Sequence, residues 1–234
     1  MDQLHKEKLT DRITYLVFSI LLVAIMIFPM FSIKSVTGEK STEVSSSVTS
    51  YQIMKVAFSS EEELNSRKTV LNRELFELID KLEKEGKTDE KIAEELKTNS
   101  LYNEYMLIQI HEFDKEKVVP FAVFLLISYI LAGVLVIMYG LTMILRKDKL
   151  DLVNFFITAA MAAVVIVATA LSFSLTYTIN TNLSHHICGS MMLYAYTVLT
   201  VAFAVFQLVR IFILKRARKV KENEVTVPFT AEEK

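Results

Sequence analysis

Residues 118–145 read VVPFAVFLLISYILAGVLVIMYGLTMIL, an apolar run of 28 residues without a charged side chain. A helix needs about 20 residues to cross the hydrocarbon core of a bilayer, so this run is long enough to span it. Three further runs of the same kind lie at residues 13–33, 152–179 and 187–214. Arg210 is the one charged residue in the four runs. We therefore predict an all-α membrane protein built on a bundle of four transmembrane helices.

Lys and Arg residues indicate on which side of the membrane each short segment lies, because short cytoplasmic segments are enriched in them. They cluster before the first run, between the second and third runs, and after the fourth: Lys6, Lys8 and Arg12; Arg146, Lys147 and Lys149; Lys215, Arg216, Arg218, Lys219 and Lys221. Residues 1–12, 146–151 and 215–234 are therefore predicted to be cytoplasmic. Residues 34–117 and 180–186 then form an extracytoplasmic domain and a short extracytoplasmic loop of a multi-pass plasma-membrane protein.

Cysteine usage and charge give further indications of the kind of organism and of the partners. Cys188 is the only cysteine, which excludes an intramolecular disulfide. Small animal ectodomains usually need disulfides, so their absence favours a bacterial protein. The net charge of −1 hides a partition, since residues 34–117 hold 13 basic and 18 acidic residues. We expect the lipid bilayer as one partner and no nucleic-acid partner.

The predicted extracytoplasmic domain, residues 34–117, reads as mainly helical with a short β-hairpin at its start. Gly38 and Glu39 are suited to turn a hairpin between residues 32–37 and the following Ser/Thr-rich segment. Ser60 precedes three glutamates, a pattern typical of a helix N-terminus. A leucine seam then recurs at helical spacing and consists of Leu64, Leu71, Leu75, Leu78 and Leu82. We predict that the seam packs against a later helix of the same domain, the alternative being a coiled coil with a partner.

That later helix begins near Leu101 and is predicted to run almost straight into the second span. It carries an apolar stripe on one face, formed by Tyr102, Met106, Ile110 and Phe113. Aromatic and Met side chains are enriched in the cores of protein interfaces. We predict that this stripe binds a protein partner or a second copy of the chain.

Candidate chemistry is sparse. His185, His186 and Cys188 are weak candidates for metal ligands, because their spacing matches no standard zinc site. The sequence contains neither a G-x-S-x-G motif nor a P-loop, and we expect no cofactor. Proton relays place Asp, Glu, Lys or His inside the membrane, and the four runs contain none of these residues. His185 and His186 lie just before the fourth run. Five basic residues are predicted to lie at the lipid interface: Arg210, Lys215, Arg216, Arg218 and Lys219.

The order of one span, a long outer segment and three further spans resembles the plan of claudin-like tetraspan proteins. The outer cysteine pair and the tryptophan of the claudin signature are absent, since the chain has no Trp and one Cys. The sequence is therefore assigned to no family. We expect a non-enzymatic protein that acts through its extracytoplasmic domain as an accessory, assembly or interaction subunit. The alternatives are an oligomeric pore or channel and a membrane-embedded enzyme.

Overall fold

The computed structural model describes residues 2–37, 44–145, 148–173, 175–180 and 183–225. The described chain is mainly helical, as predicted, and it also contains a small sheet. Its elements in chain order are α1 (Asp2–Ile25), β1 (Phe31–Thr37), β2 (Val44–Val48), α2 (Ser50–Phe58), α3 (Glu61–Lys84), α4 (Asp89–Thr98), α5 (Ser100–Leu145), α6 (Asp148–Ser172), β3 (Thr176–Asn180), β4 (Leu183–Gly189) and α7 (Met191–Val225).

Three helices of the described chain are long and apolar enough to cross a membrane: Ser100–Leu145, Lys149–Ser172 and Met191–Arg216. Their outward surface is rich in large apolar side chains, such as Ile137, Phe156 and Phe212, each more than 60% exposed. A water-soluble protein rarely exposes so much contiguous apolar surface, so this surface suits lipid. α1 packs against α5 and α7, and α6 packs between α5 and α7, which makes a bundle of four helices.

The helices are shorter than the predicted runs at one end of this bundle. α1 ends at Ile25 and α6 ends at Ser172, while α7 begins only at Met191. Residues 31–33, 176–179 and 187–189 of the apolar runs lie in strands instead. The sequence did not indicate this, because a short apolar stretch by itself does not distinguish a buried helix from a buried strand. The predicted helix bounds at residues 33, 179 and 187 were therefore wrong.

The strands form one antiparallel sheet in the order β2-β1-β4-β3. The predicted hairpin is confirmed by the pairing of β1 with β2, although its turn at Gly38 and Glu39 lies outside the described residues. A second hairpin, β3 with β4, replaces the predicted loop at residues 180–186 and pairs with β1. The described chain is mostly helical, in agreement with the predicted class and its short hairpin, but the hairpin of β3 and β4 was not predicted. Phe31, Ile33 and Ile187 are buried, so this sheet closes one end of the bundle.

The helical module consists of α2, α3, α4 and the first part of α5. Thr49 and Gln52 form a capping box at the start of α2, and the Ser60 hydroxyl accepts the Glu63 amide at the start of α3, as predicted. The leucine seam packs inside the chain, because α3 lies against α5 and α4. Four of its members are buried, namely Leu64, Leu71, Leu75 and Leu82.

α5 extends from the helical module into the helix bundle, as two helical segments that meet at a kink. Its 46 residues correspond to about 69 Å of helix. Asp114 departs from helical geometry, with φ −131° and ψ 37°, and marks a kink. Pro120 follows less than two turns later and removes one backbone donor from the helix. The last helix of the module does lead directly into the apolar span, as predicted, but the kink at Asp114 contradicts the nearly straight course that was expected.

Candidate functional site: a polar layer inside the helix bundle

Two ion pairs connect α1 to other helices of the bundle at the end opposite the sheet. Arg12 donates to Asp151 of α6 through Nη2 at 2.8 Å and through Nε at 3.2 Å. Asp11, the preceding residue, accepts from Nη2 of Arg210 on α7 at 2.8 Å and from Nε at 3.1 Å. Consecutive residues of opposite charge on α1 thus hold two different helices.

These ion pairs are largely buried, so the loss of one partner would destabilise the bundle. The side chain of Arg12 is only 6% exposed, and that of Asp11 is 13% exposed. A charge removed from water to this degree is strongly unfavourable without its partner. Each pair therefore fixes the position of α1 against its neighbour.

One turn deeper, hydrogen bonds between side chains link α5, α6 and α7. The Asn154 amide donates to the Thr142 hydroxyl at 2.9 Å. The Gln207 amide donates to the Thr158 hydroxyl at 3.2 Å, and Thr158 donates to the backbone carbonyl of Asn154 at 2.9 Å. We call these four side chains, with Tyr139, the polar layer.

Three polar atoms of the polar layer are buried and have no hydrogen-bond partner among the described residues. They are Oδ1 of Asn154, Oε1 of Gln207 and the hydroxyl oxygen of Tyr139. Aromatic rings cover the layer, since the ring of Tyr15 lies 5.6 Å from that of Tyr139 and 5.8 Å from that of Phe203. The layer is thus enclosed by the four helices.

The polar layer does not continue along the buried face of α6. That face carries Asn154 and Thr158 near one end, and Met161, Val165 and Ala168 follow, each at most 2% exposed. Near the other end, the hydroxyls of Thr169 and Thr197 lie 3.0 Å apart. The middle of this face of α6 is therefore apolar.

Arg210, predicted to lie at the lipid interface, forms an ion pair with Asp11, and its side chain is 26% exposed. Lys215 and Arg216 are exposed on α7, which continues as a helix to Val225. Arg218 and Lys219 lie on the same helical extension. The segment from residue 226 onward and the loop residues Arg146 and Lys147 lie outside the described residues.

Sequence reasoning missed the ion pairs because Asp11, Arg12 and Asp151 flank the apolar runs rather than interrupt them. A partner 139 positions away in the chain leaves no local signal. The amides of Asn154 and Gln207 were a usable signal, because polar side chains within apolar runs commonly bond between membrane helices.

The predicted partner-binding stripe is largely internal. Met106 is 3% exposed and Ile110 is fully buried, so the prediction is wrong for these two residues. Tyr102 is half-buried against the core, and Phe113 is 68% exposed. The stripe packs inward because α2 and α3 both lie on this part of α5.

The weak metal candidates lie on β4. In the sheet register, His185 is opposite Ser35, His186 is opposite Lys34 and Cys188 is opposite Ser32. Among the described residues, no three His, Cys, Asp or Glu side chains form a group that fits a metal ion.

A second charged cluster joins three helices of the helical module. Glu104 of α5 accepts from Nη2 of Arg67 on α3 at 2.7 Å and from Lys55 on α2 at 3.3 Å. These hydrogen bonds, with that from Arg67 as the largest cause, hold the pKa of Glu104 below its ordinary value. The same contact with Glu104 raises the pKa of Arg67. The cluster stabilises the charged carboxylate and fixes α2 and α3 to α5.

Comparison with protein families, curated proteins and solved structures finds no match to this chain.

Proposed function

We propose that this protein is a non-enzymatic, four-span protein of the bacterial plasma membrane that acts as an accessory or assembly subunit. Its helical module would bind a protein partner outside the cell. The proposal is supported chiefly by α5, whose two helical segments meet at the kink at Asp114 and connect that module directly to the bundle.

The contacts of the first segment support a fourth span. Arg12 lies beside Asp151 at one end of the bundle, and the ring of Phe31 lies 5.3 Å from that of Phe121 at the other. Between them, the Tyr129 hydroxyl donates to the Met26 carbonyl at 2.6 Å. The ring of Tyr15 lies 5.6 Å from that of Tyr139, so this segment accompanies α5 over the 18 residues from Phe121 to Tyr139, or about 27 Å of helix, close to the thickness of a hydrocarbon core of about 30 Å.

We infer the orientation from the basic clusters, whose described members Arg12, Lys149, Lys215 and Arg216 lie near the ion-pair end of the bundle. Short flanking segments rich in Lys and Arg stay in the cytoplasm. Both termini are then cytoplasmic, and the sheet and the helical module lie outside. Reporter fusions test this arrangement: a phosphatase active only outside the cytoplasm should be active after residue 86 and inactive after residue 225.

We infer the position of the partner surface from exposed aromatic side chains. Phe113 lies just before the apolar part of α5, where aromatic side chains are common at the membrane surface. Phe76 of α3 is 71% exposed, and a position at the membrane surface does not explain its exposure. Glu61, at the start of α3, contacts Lys115 beside the kink, and Phe76 lies 15 residues farther along, about 22 Å away. We assign Phe76 as the anchor of the partner surface.

The test is affinity purification of the tagged full-length protein from its own membranes, with crosslinking before solubilisation. Phe76→Ser should remove the crosslinked partner, or reduce the mass in detergent if the partner is a second copy. Glu77→Gln, at the adjacent exposed position, is the matched control and should leave both unchanged. The proposal fails if Phe76→Ser and Glu77→Gln give the same crosslinked species as the unmodified protein.

A further inference from the structure

His111 occupies an unusual position on α5. Its side chain is 3% exposed, and its Nε2 atom is buried without a hydrogen-bond partner among the described residues. Three residues later, Asp114 marks the kink between the helical module and the apolar part of α5. The imidazole therefore lies at the junction of the two parts of the molecule.

A pocket of about 270 Å³ lies beside this imidazole, between α3 and α5. α3 lines it with Glu61, Leu64 and Asn65, and α5 lines it with Glu112 and Lys115 in addition to His111. Two ion pairs join the helices around the pocket. Lys115 contacts Glu61 at 2.9 Å, and Lys68 of α3 contacts Glu112 at 2.6 Å.

The charges around His111 oppose one another. Glu61 lies near it on α3, and Glu112 and Lys115 lie near it on α5 itself, while Lys68 of α3 contacts Glu112. The nearest cation of α2, Lys55, is bound to Glu104 about two turns earlier. Burial lowers the pKa of His111, with Lys115 adding to the effect, while Glu112 and Glu61 act in the opposite direction.

We propose that His111 makes the junction of α3 and α5 sensitive to acid, so that protonation of the buried imidazole loosens α3 from α5 beside the kink. The proton adds a second N–H donor and a positive charge next to Lys115. Because Nε2 has no acceptor in the closed arrangement, the charged imidazole gains by moving toward solvent. This inference does not depend on the proposed partner.

The direction with pH follows from the lowered pKa. The closed arrangement prefers neutral His111, so it is fully stable above the ordinary histidine value of about 6.5 and is weakened as the pH falls below it. Carboxylates protonate only near a pH of about 4.3, so the two effects separate.

A single fluorophore can follow this change, because the chain contains no tryptophan. Phe113→Trp places the reporter on α5 between His111 and the kink, at a position that is 68% exposed. The full-length protein in lipid nanodiscs is titrated from pH 8 to pH 4.5. We expect a reversible change in emission with a midpoint below about 6.5. His111→Gln should abolish the transition, and His185→Gln on β4 should retain it.

A matched pair of variants tests the cause. Lys115→Gln and Glu61→Gln break the same ion pair, but they change the field at His111 in opposite directions. The midpoint should be higher in Lys115→Gln than in Glu61→Gln, because Lys115 lowers the pKa of His111 and Glu61 raises it. This comparison retains His111, so it decides the matter even if His111→Gln fails to fold. Equal midpoints in the two variants, or an unchanged transition in folded His111→Gln, overturn the proposal.

Discussion

The guanidinium of Arg12, in the first half of α1, donates two hydrogen bonds to the carboxylate of Asp151, in the first turn of α6. The neighbouring Asp11 holds Arg210 of α7 in the opposite polarity. α1 is thereby bonded to both α6 and α7 at one end of the bundle. At the other end, β1 continues the same segment into the centre of the sheet, where it pairs with β2 and β4. The first segment is therefore held at both ends.

Removing one member of the Arg12–Asp151 pair should destabilise the bundle. Asp151 keeps 25% exposure, so we expect Asp151→Asn to lower the free energy of unfolding by about 3 kcal/mol, at the low end for buried pairs. Thermal unfolding in detergent, followed by circular dichroism, measures it. Lys149→Ala, an exposed neighbour on α6, should change stability by less than about 0.5 kcal/mol. Equal effects of the two variants would contradict the structural role of the pair.

Arg210→Lys distinguishes an ion pair from a lipid anchor. Lysine keeps the charge and reaches headgroups equally well, but it cannot reproduce the double contact of a guanidinium with Asp11. We expect a loss of roughly 1–2 kcal/mol in stability, and a similar loss for Asp11→Asn. Arg216→Lys, exposed on the same helix, serves as the control. If Arg210→Lys is as stable as that control, the pair with Asp11 contributes little.

The leucine seam should dominate the stability of the helical module. Leu71 is fully buried, and Leu71→Ala should cost about 2–5 kcal/mol through lost burial and the remaining cavity. Phe76→Ala, on the exposed face of α3, should change stability by at most about 0.5 kcal/mol. Hydrogen exchange of α3 peptides measures both. A large effect of Phe76→Ala would show that this ring packs within the chain.

The Glu104 cluster should make the attachment of α3 depend on pH in the carboxylate range. The pKa of Glu104 is lowered in the folded protein, so its contribution is present above the ordinary glutamate value of about 4.3 and is lost as the pH falls through the lower folded value. Glu104→Gln should remove this part of the acid dependence. Protection of α3 amides between pH 6 and pH 3 is the measurement, and Glu77→Gln is the control. Identical profiles for the two variants would exclude the contribution of Glu104.

Local sequence patterns predicted α3, the helix that begins near Leu101 and the presence of the apolar helices, but they did not settle α2 or the ends of the apolar helices. The glutamates after Ser60 and the leucine seam predicted α3, because capping and helical periodicity act within a few residues. The length of residues 118–145 predicted a membrane-crossing helix for the same reason. The hairpin of β1 and β2 was also readable, since its strands adjoin a short turn.

Only the tertiary structure decided where the apolar runs end as helices and which charges pair. Residues 31–33 and 187–189 are apolar or small, and nothing local distinguishes them from a continuing helix. They are strands because β1 and β4, about 150 residues apart, satisfy each other's backbone hydrogen bonds. Arg210 likewise bonds to Asp11, 199 positions away in the chain, because the bundle brings α1 to α7. Contacts between distant segments depend on packing geometry, which a local pattern does not contain.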